Sequence, residues 1–322
     1  MKKTAIITGV TGQDGMYLAK LLLDKQYTVI GIVRSFSQID YFGFEYLNTR
    51  DKIVFETCDL QDMSQIIVLL KKYSPDEIYN LAAQSSVGTS FQQPIGTIQF
   101  NIISVLNLLE GVKILGLQTR YYQASSSEMY GKVDRPPVTE GTPMHPLSPY
   151  AISKASAHWI TTNYREAYKL YTCCGILFNH ESFLRRKSFF VKKVIADAVD
   201  IKMGKKEKLF VGNINQKRDF GFAPKYVEAI WLMMQQENPS DYIICSAQSV
   251  SLESIIAHVF NKLELPMDRL EIATALMRPT EIEDIYGDNS KAKNVLGWKY
   301  DYTFPQVLDM LLEEEMNYRK MR

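Results

Sequence analysis

The sequence is short of the residues that build metal centres and covalent frameworks. Its 322 residues hold four cysteines and four histidines. Cys58, Cys173, Cys174 and Cys245 form no C-x-x-C pair, and His145, His158, His180 and His258 form no H-x-x-x-H. That spacing argues against a zinc site or a disulfide framework. Charge of one sign is also lacking: 37 Lys plus Arg against 36 Asp plus Glu leave a formal charge of +1. A general nucleic-acid binder needs a positive excess to neutralise phosphates, so no nucleic-acid partner is expected. No run approaches the roughly 18 consecutive apolar residues of a membrane span. The N-terminal MKKTAIITG ends its short apolar stretch in a glycine turn, so it reads as a first strand and not a signal peptide. The expectation is a reduced, cytoplasmic protein with no metal and no membrane partner.

What is present is the composition of a packed core, 46% hydrophobic and 23% charged. In the first half it alternates. Thr4–Thr8, Thr28–Val33, Lys52–Glu56, Glu77–Leu81 and Tyr121–Ala124 read as buried strands, while Met16–Lys25, Met63–Tyr73 and Ile98–Leu115 read as helices. Alternation of this kind predicts an α/β fold, a Rossmann-like doubly wound parallel sheet with crossover helices. After about Leu177 the elements shorten, and Val307–Arg319 reads as a terminal amphipathic helix. Residues 1–178 are expected to bind the cofactor and residues 179–322 to form a smaller C-terminal substrate-binding domain, with the chain crossing between the two. Arg185–Lys208 holds nine Lys/Arg against three Asp/Glu. Interleaved Phe189, Phe190, Val191, Val194 and Ile195 make it a packed helix face and not a nucleic-acid patch.

Two motifs carry chemistry. Gly9-Val10-Thr11-Gly12-Gln13-Asp14-Gly15 follows the first strand and opens a helix. Glycines there permit a tight turn and close backbone approach, and the helix N-terminus offers free N–H groups to a pyrophosphate. Glycine triplets are common in turns, so the placement matters more than the pattern. The second strand ends Val33-Arg34-Ser35, without the carboxylate that would bind the ribose 2′-hydroxyl of NAD. Arg34 suits the 2′-phosphate of NADP instead. Asp59-Leu60, after the third strand, could meet the adenine, or Asp59 could cap the next helix.

The second motif is Tyr150-Ala151-Ile152-Ser153-Lys154. Residues four apart share a helix face, and an ammonium beside a phenol lowers the tyrosine pKa toward use as a base. With 19 tyrosines, about one such pairing arises by chance. Ser125-Ser126-Ser127-Glu128 follows the fifth strand, where a doubly wound sheet places its ligands. A serine-rich segment is also an ordinary loop with local backbone hydrogen bonds. Ser126 and Glu128 are the pair best suited to bind a hydroxyl and move a proton.

Taken together, these segments resemble the extended short-chain dehydrogenase/reductase family. Longer matches resemble the GDP-mannose 4,6-dehydratase family within it: E-I-Y-N-L-A-A-Q-S, Y-Q-A-S-S-S-E-M-Y-G, S-P-Y-A-I-S-K, N-Y-R-E-A-Y, G-I-L-F-N-H-E-S, R-D-F-G-F-A, R-P-T-E-I-E and K-A-K-N-V-L-G-W. They span Thr8 to Trp298. The resemblance implies dehydration of a GDP-sugar by internal hydride transfer from C4 to C6 through bound NADP. It assigns Ser126, Glu128, Tyr150 and Lys154 to catalysis, with serine at a position where the family has threonine. It places Gly9, Thr11, Gly12, Gln13, Asp14, Gly15, Arg34, Asp59, Leu60, Leu81, Ala82 and Ala83 at the cofactor, with Tyr150 and Lys154. It places Ser85, Asn179, Glu181, Lys193, Arg218, Arg278 and Glu281 at the substrate. It also implies a homodimer built on the helices Ile98–Leu115 and Tyr150–Tyr168, or a homotetramer of such dimers.

Three stretches depart from the family pattern. Phe183-Leu184-Arg185-Arg186 stands where the family has P-R-R-G, Ser35 stands where it has a second arginine, and Gln38–Asn48 is unfamiliar. Other readings remain open on this scaffold: a nucleotide-sugar reductase, epimerase or decarboxylase, or a non-catalytic nucleotide sensor. Glu128 together with the N-H-E-S and R-P-T-E matches favours dehydration over the first group, although related decarboxylases also carry an acid there, and the intact Tyr150–Lys154 pair disfavours the sensor.

Overall fold

The computed structural model describes residues 2–277 and 279–320. Thirteen strands are described: β1 Thr4–Thr8, β2 Thr28–Val33, β3 Val54–Thr57, β4 Glu77–Asn80, β5 Arg120–Ser126, β6 Thr172–Leu177, β7 Asn179–Glu181, β8 Leu209–Val211, β9 Lys217–Phe222, β10 Tyr242–Ile244, β11 Ser249–Ser251, β12 Leu270–Ile272 and β13 Asp284–Ile285. Seven of them make one sheet in the order β10-β6-β5-β4-β1-β2-β3, parallel throughout. Strands buried on both faces need no alternation of polar residues, which is why TAIIT and TVIGIV are continuous apolar runs. The doubly wound expectation is met. Its order reverses between β1 and β4, and that reversal opens a crevice at the carboxyl ends of the strands.

The seventh strand comes from far along the chain. β10 pairs with β6 through Tyr242↔Gly175, Ile243↔Ile176 and Ile244↔Leu177. A three-residue strand this short has no periodicity to read, so the sequence showed nothing of it. Beyond β6, β7 and β13 both run parallel to β9, and β11 runs antiparallel to it. A separate apolar cluster underlies this part: Val194, Ile195, Ile256, Val259, Phe304 and Val307 are all essentially inaccessible.

Helix Pro94–Ile114 is long and apolar enough to cross a membrane by length and composition. No uninterrupted run showed this, because Gln99, Asn101, Ser104 and Asn107 break the apolar residues. In the fold its Val105, Leu108, Leu109 and Val112 pack against Ile6, Ile30, Ile78 and Tyr121 of the sheet. Beside it lies helix Pro149–Tyr168, joined by the Asn101 Nδ2 to Ser153 Oγ hydrogen bond of 2.9 Å.

Candidate active site

Each functional segment sits where a strand ends. Gly9 takes φ +67° between β1 and helix Gln13–Asp24, and a Cβ there would lie 2.8 Å from the Ala82 nitrogen. A Cβ on Gly15 would lie 2.5 Å from the Gly9 carbonyl oxygen. Glycine is therefore required at both positions by the left-handed turn and by backbone contact. The helix starts at Gly12 without a side-chain cap, so its first N–H groups remain available to an anion.

Helix Gln13–Asp24 is tied to β7 by a buried polar cluster. His180 Nε2 lies 2.9 Å from both carboxylate oxygens of Asp14, and its Nδ1 lies 2.6 Å from the Phe178 carbonyl oxygen. Each ring nitrogen is thus set against an oxygen acceptor. Burial opposes the charge on Asp14, but the charge and hydrogen bond of His180 outweigh it and hold the carboxyl at about 2. Ser182 Oγ donates to Gln13 Oε1 at 2.7 Å, and Gln13 Nε2 donates to the His180 carbonyl at 3.1 Å.

The end of β5 turns sharply. Ser126 accepts a hydrogen bond from the Glu128 N–H at 3.3 Å and opens a single 3₁₀ turn, Ser127–Met129. Opposite, Ser148 caps helix Pro149–Tyr168 through the Ala151 N–H at 3.1 Å, with Pro149 in its first turn. Tyr150 is thereby fixed in the same turn and Lys154 one turn on. Lys154 Nζ donates to the Ala124 carbonyl at 2.8 Å and lies 5.9 Å from the Tyr150 ring centroid.

The electrostatics differ from the sequence expectation. Burial pushes the Tyr150 phenol up to about 12; the Ser126 hydroxyl and Arg185 pull it down, and Glu128 pushes it further up. Lys154 is not among the groups that set it; its ammonium is held on the Ala124 carbonyl. Burial lowers Lys154 itself to about 8, against the opposing charge of Asp14.

These elements enclose a cleft of about 290 Å³. On one side it is lined by Gly9, Gly12, Gln13, Asp14 and Gly15, with Leu81 and Ala83 beyond β4. Ser126, Glu128, Tyr150 and Lys154 meet in its middle. The other side presents Ser85, Asn179, Glu181 and Arg218. Glu281 borders a small adjoining pocket with Glu128 and Arg218, and accepts a 2.7 Å hydrogen bond from Asn213. The cradle that a Cβ would fill at Gly9 and Gly15, next to an uncapped helix N-terminus, fits a dinucleotide pyrophosphate.

Other expected residues lie off the cleft wall. Thr11, within the glycine turn, and Ala82, after β4, are both half-buried. Arg34 is exposed at the end of β2, with no hydrogen bond or ion pair among the described residues. Asp59 is exposed after β3, and it does not cap the following helix: Asp62 does, through Ser64 N and Gln65 N. Leu60 is buried under the sheet and offers its carbonyl to Asn107. Lys193 turns away and donates to the Phe210 carbonyl at 2.5 Å. Arg278 lies outside the described residues.

The positive segment is also resolved differently from its net charge. Lys187 and Lys206 pair with Asp197, Lys192 with Glu315, Lys202 with Glu264 and Lys208 with Glu271. From it only Arg185 brings charge to the cleft wall. Its guanidinium stacks on Phe189 at 3.6 Å and its Nε lies 3.4 Å from Glu181. Arg185, His180 and Gln216 line the cleft without having been singled out by the sequence. For Arg185 and His180 the signal was available inside the N-H-E-S match and the segment after it.

Two of the departures meet. Phe42 and Tyr46, from the unfamiliar Gln38–Asn48 segment, contact the Phe183 ring with centroids 6.1 and 5.2 Å away, and Tyr318 of the last helix completes the cluster at 5.5 Å from Phe183. Phe183 thus has local aromatic partners supplied by the other altered segment.

The switch-point crevice, the glycine turn and the Ser–Tyr–Lys cleft define an α/β protein of the short-chain dehydrogenase/reductase type. Solved structures share the fold: dTDP-glucose 4,6-dehydratase from Bacillus anthracis in complex with NAD superposes with TM-score 0.84 at 22% identity, covering 97% of this chain and 96% of that one. RMD from Pseudomonas aeruginosa complexed with NADPH superposes with TM-score 0.81 at 23% identity, covering 99% of both. The model of the family GDP-mannose 4,6 dehydratase matches residues 6–311. GDP-mannose 4,6 dehydratase 1 of Arabidopsis thaliana is 43% identical over 330 residues, 99% of this chain and 91% of that protein. The chain belongs to the GDP-mannose 4,6-dehydratase family.

Proposed function

We propose that this chain is an NADP-dependent nucleotide-sugar 4,6-dehydratase that converts GDP-mannose to GDP-4-keto-6-deoxymannose. The observation that carries the reading is Glu128. It is a half-buried carboxylate in the same cleft as Ser126, Tyr150 and Lys154, with no side-chain hydrogen bond among the described residues. It also lies close enough to Tyr150 for its charge to act on the phenol.

The turn Gly9–Gly15 would hold the NADP diphosphate, with Arg34 at the 2′-phosphate and Asp59 and Leu60 toward the adenine. Bound there, the cofactor supplies a hydride acceptor at C4 and a hydride donor at C6. The chain's residues supply the rest. Tyr150 takes the O4 proton, and Ser126 holds that oxygen by a hydrogen bond. The 4-keto group acidifies the C5 proton, which Glu128 removes before protonating the departing C6 hydroxyl. Lys154 is anchored by the Ala124 carbonyl one turn from the phenol, where it would orient the bound cofactor. Arg218, Asn179 and Ser85 would face the nucleotide sugar, with Glu281 as a further contact in the adjoining pocket.

Residues 1–178 chiefly serve the cofactor and residues 179–322 chiefly the nucleotide sugar, in a cytoplasmic homodimer or homotetramer. Exposed Ile95, Ile152, Trp159 and Tyr168 on the paired helices Pro94–Ile114 and Pro149–Tyr168 support a subunit contact there. The test is incubation of the purified protein with GDP-mannose, GDP-N-acetylglucosamine and UDP- or dTDP-sugars. Loss of one water from GDP-mannose without added reductant is the expected result. Stoichiometric consumption of added NADPH would identify a reductase instead.

A further inference from the structure

Gln216 stands immediately before β9, two residues from Arg218, so the two side chains lie on the same side of the extended chain. Its backbone is pinned by the Leu252 N–H, which donates to the Gln216 carbonyl at 2.9 Å. Gln216 is 7% exposed and lines the cleft. Arg218 Nη2 donates to Gln216 Oε1 at 3.2 Å. That contact fixes which end of the amide is which, because the reverse orientation would set two donors against each other. The amide nitrogen then faces away from Arg218, and it has no hydrogen-bond partner. Buried amide donors are almost always satisfied, since leaving one unpaired costs about 1–3 kcal/mol. The nitrogen itself is closed off from solvent, and a donor kept unpaired in a residue of the cleft lining, next to an arginine, suits an acceptor that arrives with the ligand as the side chain turns.

We infer that Gln216 is a binding residue for the diphosphate part of the substrate: its Nε2 donates to a phosphate oxygen while its Oε1 aims the Arg218 guanidinium at the same group. This deepens the GDP-sugar reading and rests on it. The terminal torsion of a glutamine is broad and shallow, so a small rotation carries the N–H to the ligand without releasing the backbone anchor at Leu252. Gln216 makes no hydrogen bond to Glu128, Tyr150 or Lys154, so its loss is expected to act on binding and not on the proton transfers.

Calorimetry with GDP on the full chain, beside steady-state turnover of GDP-mannose, tests the assignment. Gln216→Leu removes both amide functions. Gln216→Glu has the same shape and keeps an acceptor for Arg218, but replaces the donor by a charge that repels phosphate. GDP affinity is expected to fall about 10- to 100-fold in Gln216→Leu and further in Gln216→Glu, the loss typical of one hydrogen bond to a charged group. KM for GDP-mannose should rise by a similar factor, with kcat within about threefold of wild type. Unchanged GDP affinity in the isosteric glutamate variant overturns the assignment, and so does a loss in kcat at constant KM. Wild-type protein that binds no GDP would instead remove the underlying GDP-sugar reading, so the two failures are distinct.

Discussion

Asp14→Asn tests the polar cluster that joins the cofactor turn to β7. The substitution keeps the size of the side chain and removes its charge. The Asp14 carboxyl is held at about 2 in the fold against an ordinary value of 3.8, and each unit of such a shift is worth about 1.4 kcal/mol. The surroundings of Asp14 as a whole, with His180 the largest favourable partner, therefore contribute about 2 kcal/mol at neutral pH, with the side chain about a fifth exposed. Because the folded pKa lies below the unfolded one, the contribution is complete above roughly pH 5. It drops to about half by pH 3 and is lost as pH falls through about 2. Urea unfolding of wild type and Asp14→Asn at pH 7 and at pH 3 measures both numbers. A difference of about 2 kcal/mol that shrinks to about 1 is expected. A variant as stable as wild type at pH 7, or a difference that does not change with pH, would refute the ion pair as the source. His180→Gln in the same series should cost a similar amount and should not add to Asp14→Asn in the double variant.

Glu128→Gln should retain GDP binding and lose about 10²–10⁴-fold in product formation, with C5 proton exchange in deuterium oxide falling alongside; near-normal turnover would remove Glu128 from its role. The alkaline limb of kcat/KM should have a midpoint near 8, where Lys154 gives up its proton, and Lys154→Arg should abolish that limb within the measurable range. Gly15→Ala should destabilise the fold by about 1–3 kcal/mol, because its Cβ would meet the Gly9 oxygen and the Val10 Cα at 2.5 and 2.6 Å, and thermal unfolding reads this directly. Wild type is expected to elute as an oligomer in size-exclusion chromatography and Trp159→Glu combined with Ile152→Glu as a monomer; equal elution volumes would refute the proposed subunit contact.

Much of the architecture was legible because it is local. Continuous apolar runs such as Thr28–Val33 and the helical spacing of Met63–Tyr73 depend on neighbours in sequence, and both elements have the bounds their pattern predicts. The glycine turn was legible for the same reason, since left-handed φ and backbone contact leave no alternative to glycine at Gly9. Lys193 was not legible. A lysine in a basic segment can point either way along its helix, and only packing against β8 turned this one onto the Phe210 carbonyl. Asp59 and Asp62 are both acids ahead of one helix, and only the backbone path selects Asp62 as the cap.

The near-zero net charge and the scarcity of metal-binding residues were properties of the sequence alone, as were the alternation of strands and helices in the first half and the motifs that mark the family. Which charges act was decided by the tertiary structure. Most of the basic segment is neutralised by carboxylates distant in sequence, while Arg185 is carried to the cleft. Burial, which no sequence spacing encodes, pushes Tyr150 up and Lys154 down. It also leaves the Gln216 amide unpaired beside Arg218. Charge and hydrogen bonding act through space over a few ångströms, so their outcome depends on which distant segments the fold brings together.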